Sequence, residues 1–588
     1  MSQREVVFLP LEQSAVVIAP PGHGKTFVMA RRIAYLLQDN LVPAPGRILG
    51  LTFTNAAARE MMERVRSYLG PVDRVDITTF HSFAYQVLRA YGNLLGIDRK
   101  FTVLSARRSE ELVTQALQEA YPDWDDLEGN DRHRLLEAFA EWRQEHILRL
   151  NDEYVHPSLD GVFTEALRRL RDWMERESAL DYDHVLWYAR RLLQERPSVL
   201  RLLRSTYRCI LVDEFQDTNP LQFAILRLLC GGSDGAEDRR TYTPVLILAD
   251  PKQAIYEFQG AVPANVHCAI KVFECGNPIK LRKNYRTQSP FIRALSTALR
   301  EPQNADYDTR LGKIPLYIAP DPCTEAEWIV NQVQELINSG VPHDEVAVIA
   351  RIGGRLDQVR AHLEVRGLPA VFVPDFRSND IECRYASLFD RLGEIVEAHL
   401  ETRRRASLKS EFRRLCTEIG LDLQEDDIVR TMYEVAATYD SIENYRVPLW
   451  EKVQSFLNEI LLEINWGEVI RKAVKGKVFV SSIHGVKGLQ FETVIICGLE
   501  NFCFPTRFTC WPCIRQGHQS VVQKLDQEYR VLYVGITRAI SEIYLYASLT
   551  GGRNLGPRQV SCLVGRIARF IALQGSDMIL NDYLCDHG

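Results

Sequence analysis

The sequence predicts an α/β protein with two cores built on parallel sheets, each interrupted by a mainly helical insertion. Three observations carry this reading. Short, near-continuous apolar runs recur just ahead of segments with helical spacing, the pattern of strands covered on both faces. Long stretches rich in Arg, Glu, Leu and Trp, without strand-like runs, break this alternation twice. The chain of 588 residues also exceeds what one hydrophobic core accommodates.

Taken in order, Ala15-Val16-Val17-Ile18 is the first strand-like run. It leads through a Gly-rich turn into a helical pattern from Phe27 to Gln38. Arg47 to Phe53 is the second run, followed by helical spacing from Asn55 to Leu69. Arg208 to Val212 and Pro244 to Leu248 complete the first group. The second group comprises Val346 to Ala350, Val478 to Val480 and Thr493 to Ile496. The predicted organisation is therefore a first core over 1–96 and 196–277, with an insertion at 97–195. A second core follows over 278–375 and 476–550, with an insertion at 376–475 and a C-terminal tail at 551–588. Gly231 to Thr243 and Glu301 to Pro315 read as surface loops from their Gly, Pro and charge content.

Composition narrows the class without naming a function. Hydrophobic residues make up 46% and charged residues 25% of the chain, the profile of a globular protein. No run of about 18 apolar residues is free of charge. The N-terminus carries Glu5 and no small-residue cleavage site, so neither a membrane span nor a signal peptide is expected. Thirteen cysteines lie scattered without a disulfide framework, which suits the cytoplasm. The net charge of −6 gives no general attraction for nucleic acid, so any such binding must come from a local groove.

Two motifs carry chemistry. Ala19-Pro20-Pro21-Gly22-His23-Gly24-Lys25-Thr26 follows a strand and opens a helix. Glycines let backbone amides approach phosphate oxygens, and the helix N-terminus adds partial positive charge. Lys25 would reach the β- and γ-phosphates of ATP, and the Thr26 hydroxyl would ligate Mg²⁺. Asp213 and Glu214 stand at the end of the run Cys209 to Val212. There Asp213 suits a metal anchor, and Glu214 suits a base that orients water toward the γ-phosphate.

Around these motifs the chain resembles the UvrD/Rep family of superfamily 1 helicases, from Gln3 to about Ala547. The matching segments are Gln3-Arg4-Glu5, the phosphate loop, Leu51 to Ala57, Thr79 to Phe83, Asp213 to Thr218, Ala249 to Tyr256, Leu281 to Arg286, His484 to Phe491 and Tyr533 to Ala539. They stand in the family's order, and collinear agreement of this extent is very specific. The resemblance implies two RecA-like cores and a motor that couples ATP hydrolysis, with Mg²⁺, to 3′-to-5′ movement along single-stranded DNA. It implies that Gln3 reads the adenine edge, that Tyr285 stacks on the base, and that Gln253 senses the γ-phosphate. Arg286 and Arg538 would serve as arginine fingers, a task that suits a planar, permanent, bidentate cation. Gln490 would lie at the nucleotide. Phe53, Asn55, His81, Tyr256, Phe258 and His484 fall where the family contacts the strand. Burial is as good a reading for Phe53 and Phe80, whereas Phe258 sits in a polar turn.

The chain departs from the family at Gln259, where Arg is usual, at Gln490, where Glu is usual, and at Phe27, where a basic residue is usual. The insertion at 376–475 is short for the family. That shortness and Asp250-Pro251-Lys252-Gln253 are similar to the helicase subunit of Gabija-type phage-defence systems, whose partner is a nuclease. The expected partners are thus single-stranded DNA, single/double-strand junctions and a nuclease, in DNA repair or phage defence. A DNA-stimulated regulatory ATPase with little unwinding of its own is the alternative. Cys503, Cys510, Cys513 and His518 share one loop, with a zinc-like Cys-x-x-Cys spacing, but the resemblance implies no metal there and reduced cysteines are expected.

Overall fold

A computed structural model describes residues 3–104, 106–231, 242–287, 289–300, 312–373, 381, 384–397, 406–440, 447–462, 466–517, 521–551 and 556–574. The chain divides into two compact units, Met1–Lys283 with Asn458–Glu463, and Asn284–Leu457 with Ile464–Gly588.

In the first unit the strands are β1 (Ala15–Ile18), β2 (Arg47–Thr52), β3 (Val75–Thr79), a short pair β4 (Thr102–Val103) and β5 (Ala179–Leu180), then β6 (Tyr207–Val212), β7 (Val245–Ala249) and β8 (Ile279–Lys280). Six of them form one sheet in the order β3-β2-β6-β7-β1-β8, and every pairing is parallel. The four middle strands are buried almost throughout, which is why their sequences read as unbroken apolar runs. Helices Lys25–Gln38 and Asn55–Leu69 pack on one side through Met29, Ile33, Met61 and Val65. Helix Phe80–Tyr91 packs on the other side with the insertion helices, through Phe83, Val87, Phe139, Phe163 and Tyr188.

In the second unit β9 (Ile314–Ala319), β10 (Val346–Ala350), β11 (Ala370–Phe372), β12 (Val478–Ser482), β13 (Phe491–Cys497), β14 (Ala539–Ser548) and β15 (Ile571–Gln574) form a parallel sheet. Its order is β11-β12-β10-β13-β14-β9-β15. The described parts of 376–475 form helices, among them Leu408–Ile419, Asp427–Thr438 and Leu449–Leu462. No helix among the described residues is long and apolar enough to cross a membrane.

The α/β class with two parallel sheets is as the sequence predicts, but several boundaries differ. Residues 97–195 do contain strands, the two-residue pair β4 and β5, too short to leave an apolar run. Ile279–Lys280, expected in the second core, adds an edge strand beside β1 of the first. Ile571–Gln574, expected in the tail, pairs with β9. Ile314 and Pro315, expected in a loop, begin β9, and Thr243, at the end of the other expected loop, is buried. Of those loops, 232–241 and 301–311 lie outside the described residues.

Candidate functional site

Because every strand of the first sheet is parallel, all its carboxyl ends lie along one edge, where ligands of open α/β sheets bind. Three loops leave that edge from adjacent strands in the order β6-β7-β1. The loop after β1 runs from Ala19 to Gly24. Gly22 and Gly24 have φ of 76° and 80°, a left-handed conformation open mainly to glycine. A Cβ on Gly24 would collide with the Gln3 amide, whose Nε2 donates to the His23 carbonyl at 3.0 Å. Ala19, Pro20 and Pro21 are buried, and His23 Nδ1 lies 2.9 Å from the Pro21 carbonyl. The helix that follows has no side-chain cap, so its first-turn amides face the loop, the usual setting for an anion.

Lys25 opens this helix with 8% exposure. Its Nζ lies 3.0 Å from the Glu214 carboxylate and 3.4 Å from the Ala19 carbonyl. Burial works against its charge, but Glu214, Asp250 and Asp213 outweigh burial and hold the ammonium above its ordinary pKa. Asp213 and Glu214 follow β6. Glu214 adopts φ 50°, an uncommon conformation for a residue with a side chain, and its N–H donates to Asp213 Oδ1 at 2.9 Å. Thr26 is half-buried beside Lys25. Asp213 and Thr26 offer only oxygen donors, which suits Mg²⁺.

The third loop follows β7, and its link to the second was not foreseen. Gln216 is fully buried. Its amide nitrogen donates to Glu214 and Asp217, and its oxygen accepts the Asp250 N–H at 2.9 Å. Asp250, also fully buried, accepts from Gln253 Nε2 at 3.0 Å. The Gln216 amide, the Asp250 backbone N–H and the Asp250 carboxylate thus join Glu214 to Gln253 in one hydrogen-bonded chain. A glutamine inside an acidic run at a buried strand end was the available signal, since a buried amide must find partners at both ends.

Strand-contact candidates leave the same edge. Thr54 and Thr79 accept the Ala57 and Ser82 N–H groups at 3.1 Å and start the helices that carry Asn55 and His81. These neighbour one another because Thr52 pairs with Thr79, and Ser82 Oγ donates to Asn55 Oδ1 at 3.3 Å. Phe53 is half-buried and stacks on Tyr256 with centroids 4.8 Å apart. Tyr256 itself is only 3% exposed, so of this pair Phe53 is the more accessible. His81 stacks on Tyr182 at 3.5 Å, its Nε2 has no hydrogen-bond partner among the described residues, and burial pushes its pKa down to about 3. The side chain of Phe258 lies outside the described residues.

The remaining candidates belong to the second unit. Tyr285 is 56% exposed in a turn shaped by Asn284 Oδ1, which accepts the N–H groups of Arg286 and Thr287. Arg286 and His484 are half-buried, and Gln490 is exposed. Arg538 is only 2% exposed. Its guanidinium donates to the Val534 carbonyl at 3.0 Å, to the Leu489 carbonyl at 3.1 Å and to Thr537 Oγ1 at 3.1 Å. Cys503, Cys510 and Cys513 are buried, and no three metal-ligand side chains converge among the described residues. His518 lies outside them.

Residues 1–274 match the family described as the UvrD/REP helicase N-terminal domain, and residues 378–550 match the UvrD-like helicase C-terminal domain. The chain is 26% identical to DNA helicase II of Escherichia coli over 92% of its own length and 83% of that protein. It is 25% identical to the ATP-dependent DNA helicase PcrA of Bacillus subtilis over 97% and 86%. It is 24% identical to a probable DNA helicase II homologue of Mycoplasma capricolum over 92% and 83%.

Proposed function

The chain belongs to the UvrD/Rep family of superfamily 1 helicases, and we propose that it is an ATP-driven motor moving 3′ to 5′ along single-stranded DNA and separating the strands it meets. The observation that carries the reading is the pair of buried Lys25 with half-buried Glu214 at the mouth of the glycine loop. Lys25 is held charged beside a cradle of backbone amides, ready for a triphosphate. A γ-phosphate oxygen that takes over Lys25 releases Glu214 to accept a proton from water. The water oxygen then bonds to the γ-phosphorus, the β–γ bridging bond breaks, and ADP and inorganic phosphate leave. Mg²⁺, held by Thr26 and Asp213, would offset phosphate charge.

The Gln216–Asp250–Gln253 chain ties the water-orienting carboxylate to the γ-phosphate sensor of the next loop. By the resemblance, Arg286 and Arg538 assist at the γ-phosphate, Gln3, Tyr285 and Gln490 hold the nucleotide, and Phe53, Asn55, His81, Tyr256, Phe258 and His484 hold the strand. Stacking on aromatic faces is tolerant of sequence, as a motor requires. The scattered cysteines fit a cytoplasmic setting, and a partner nuclease in repair or phage defence is part of the same reading.

The test uses purified Lys25→Ala and Glu214→Gln variants. Both should lose ATP turnover and keep single-strand binding. Substantial hydrolysis by either variant sinks the assignment. Tailed duplexes of both polarities, in DNA and in RNA, should show opening only from a 3′ DNA tail.

A further inference from the structure

Helix Arg507–Gln516 carries no acidic residue. Its inner side is buried at Thr509, Cys510 and Cys513. Its outer side carries Arg507, Phe508, Trp511 and Arg515, spaced to share one face. Phe508 is 69% and Trp511 49% exposed, a large apolar outlay for a solvated helix. Arg507 lies over Phe508 at 5.2 Å, and Arg515 over Trp511 at 5.0 Å.

The surrounding backbone is built to extend this face. Phe502 takes φ 66°, and its N–H donates to Cys510 Sγ at 3.2 Å. Its ring meets Trp511 at 5.2 Å. The segment that holds Phe502 runs antiparallel to 559–561. Asn501 N donates to Gln559 O, and Ser561 N to Leu499 O, each at 2.9 Å. This pairing lays Arg558 over the Phe502 ring at 4.5 Å, and Arg558 Nε makes no hydrogen bond among the described residues. Beneath it, fully buried Glu500 pairs with Arg355.

Arg507, Arg515 and Arg558 form no ion pair among the described residues, whereas exposed Arg107, Arg108 and Arg168 of the first unit each sit on a glutamate. Three cations interleaved with three aromatic rings match a chain of phosphates and bases. The position agrees, because β12 and β13 both run parallel to β10. The loop with His484 and the loop leading to Arg507 therefore leave the same edge of the sheet.

We propose that Phe502, Phe508 and Trp511 with Arg507, Arg515 and Arg558 form a stacking platform for single-stranded nucleic acid, extending the strand track of the second unit. This rests on the motor reading above. The experiment uses the full chain with fluorescein-labelled dT20. Phe508→Ala/Trp511→Ala should weaken binding about tenfold or more, since stacking contributes about 1–3 kcal/mol per base. Phe508→Tyr/Trp511→Phe should bind like the parent. Replacing all three arginines with alanine should reduce the log–log salt slope by about 2, at about 0.7 per phosphate. A 5-iodouracil-substituted strand on the unaltered chain should cross-link to Phe508 or Trp511, a readout independent of variant folding. If the unaltered chain fails to bind dT20, the motor reading itself falls. If it binds, but the double alanine variant binds within twofold of it or the cross-links avoid this helix, the platform alone is refuted. That refutation would stand even if the face captured a protein.

Discussion

Gly24 shows how much of this site is decided by one atom. Alanine there meets the Gln3 amide and must also hold φ 80°, which costs an L-residue about 1–2 kcal/mol. Gly24→Ala should therefore abolish measurable ATP binding. Gln3→Ala alone removes the proposed adenine contact, and in that background, where the collision is gone, Gly24→Ala should lower affinity by a smaller factor than in the parent in a nucleotide titration. An equal factor in both backgrounds would mean that strain alone decides. Arg538 carries a double load. Its loss takes the guanidinium donor from the buried Leu489 carbonyl and leaves the Val534 carbonyl to the Thr537 hydroxyl, at about 1–3 kcal/mol. Arg538→Ala should lower both the melting temperature and, as a lost arginine finger, turnover by about 10³-fold. Normal turnover in a destabilised variant would leave Arg538 a purely structural residue. Lys25, Thr26, Asp213 and Glu214 were legible because a glycine turn and a strand end are local patterns. The Gln216 bridge was not, because its second partner, Asp250, arrives from a strand more than thirty residues away. Nor was the burial of Tyr256 and Arg538, which depends on neighbours remote in sequence or on the packing of a whole layer.

At the scale of elements, buried strands announced themselves and edges did not. β1, β6 and β10 are apolar on both faces, so composition alone marks them. β8 and β11 span two and three residues and exist only because a neighbouring strand pairs with them. Another element-level feature invisible in sequence joins a helix, a strand end and a loop. Glu325, in helix Pro322–Asn338, is 3% exposed and accepts the Gly498 N–H at 2.8 Å. Arg355 lies 3.8 Å away and also pairs with Glu500. Burial, reinforced by the Glu500 charge, raises Glu325 to about 8 despite Arg355. The folded protein therefore holds a proton that the unfolded chain releases above its ordinary value of 4.5. Stability from this group is lost as pH rises from about 4.5 through about 8. Glu325→Gln keeps the acceptor and removes the titration, so denaturant midpoints between pH 6 and 9 should fall less steeply than for the parent. Equal slopes would refute the protonated state.

At the scale of the whole molecule, two sheets with separate hydrophobic layers suffice for a motor, but strand separation asks for more. Each base-pair step costs about 1.4 kcal/mol, and a chain with net charge −6 has little general hold on duplex phosphate. With a short second insertion as well, the isolated chain should hydrolyse ATP on single strands and open short 3′-tailed duplexes. Opening should fall sharply as the duplex lengthens at physiological salt. Processive opening of long duplexes without a partner would show an autonomous helicase.

The parallel run of both sheets has a practical side for watching such a motor work. The phosphate loop, the acidic pair and the sensor loop all leave the carboxyl edge of the first sheet, so its amino edge is spare. Gly70, ahead of β3, and Gly340, ahead of β10, stand in open space where an added side chain would touch nothing, and their neighbours Pro71 and Ser339 are exposed. A dye attached beside each glycine would give every unit its own reporter. The stroke could then be followed in real time on an otherwise unaltered enzyme.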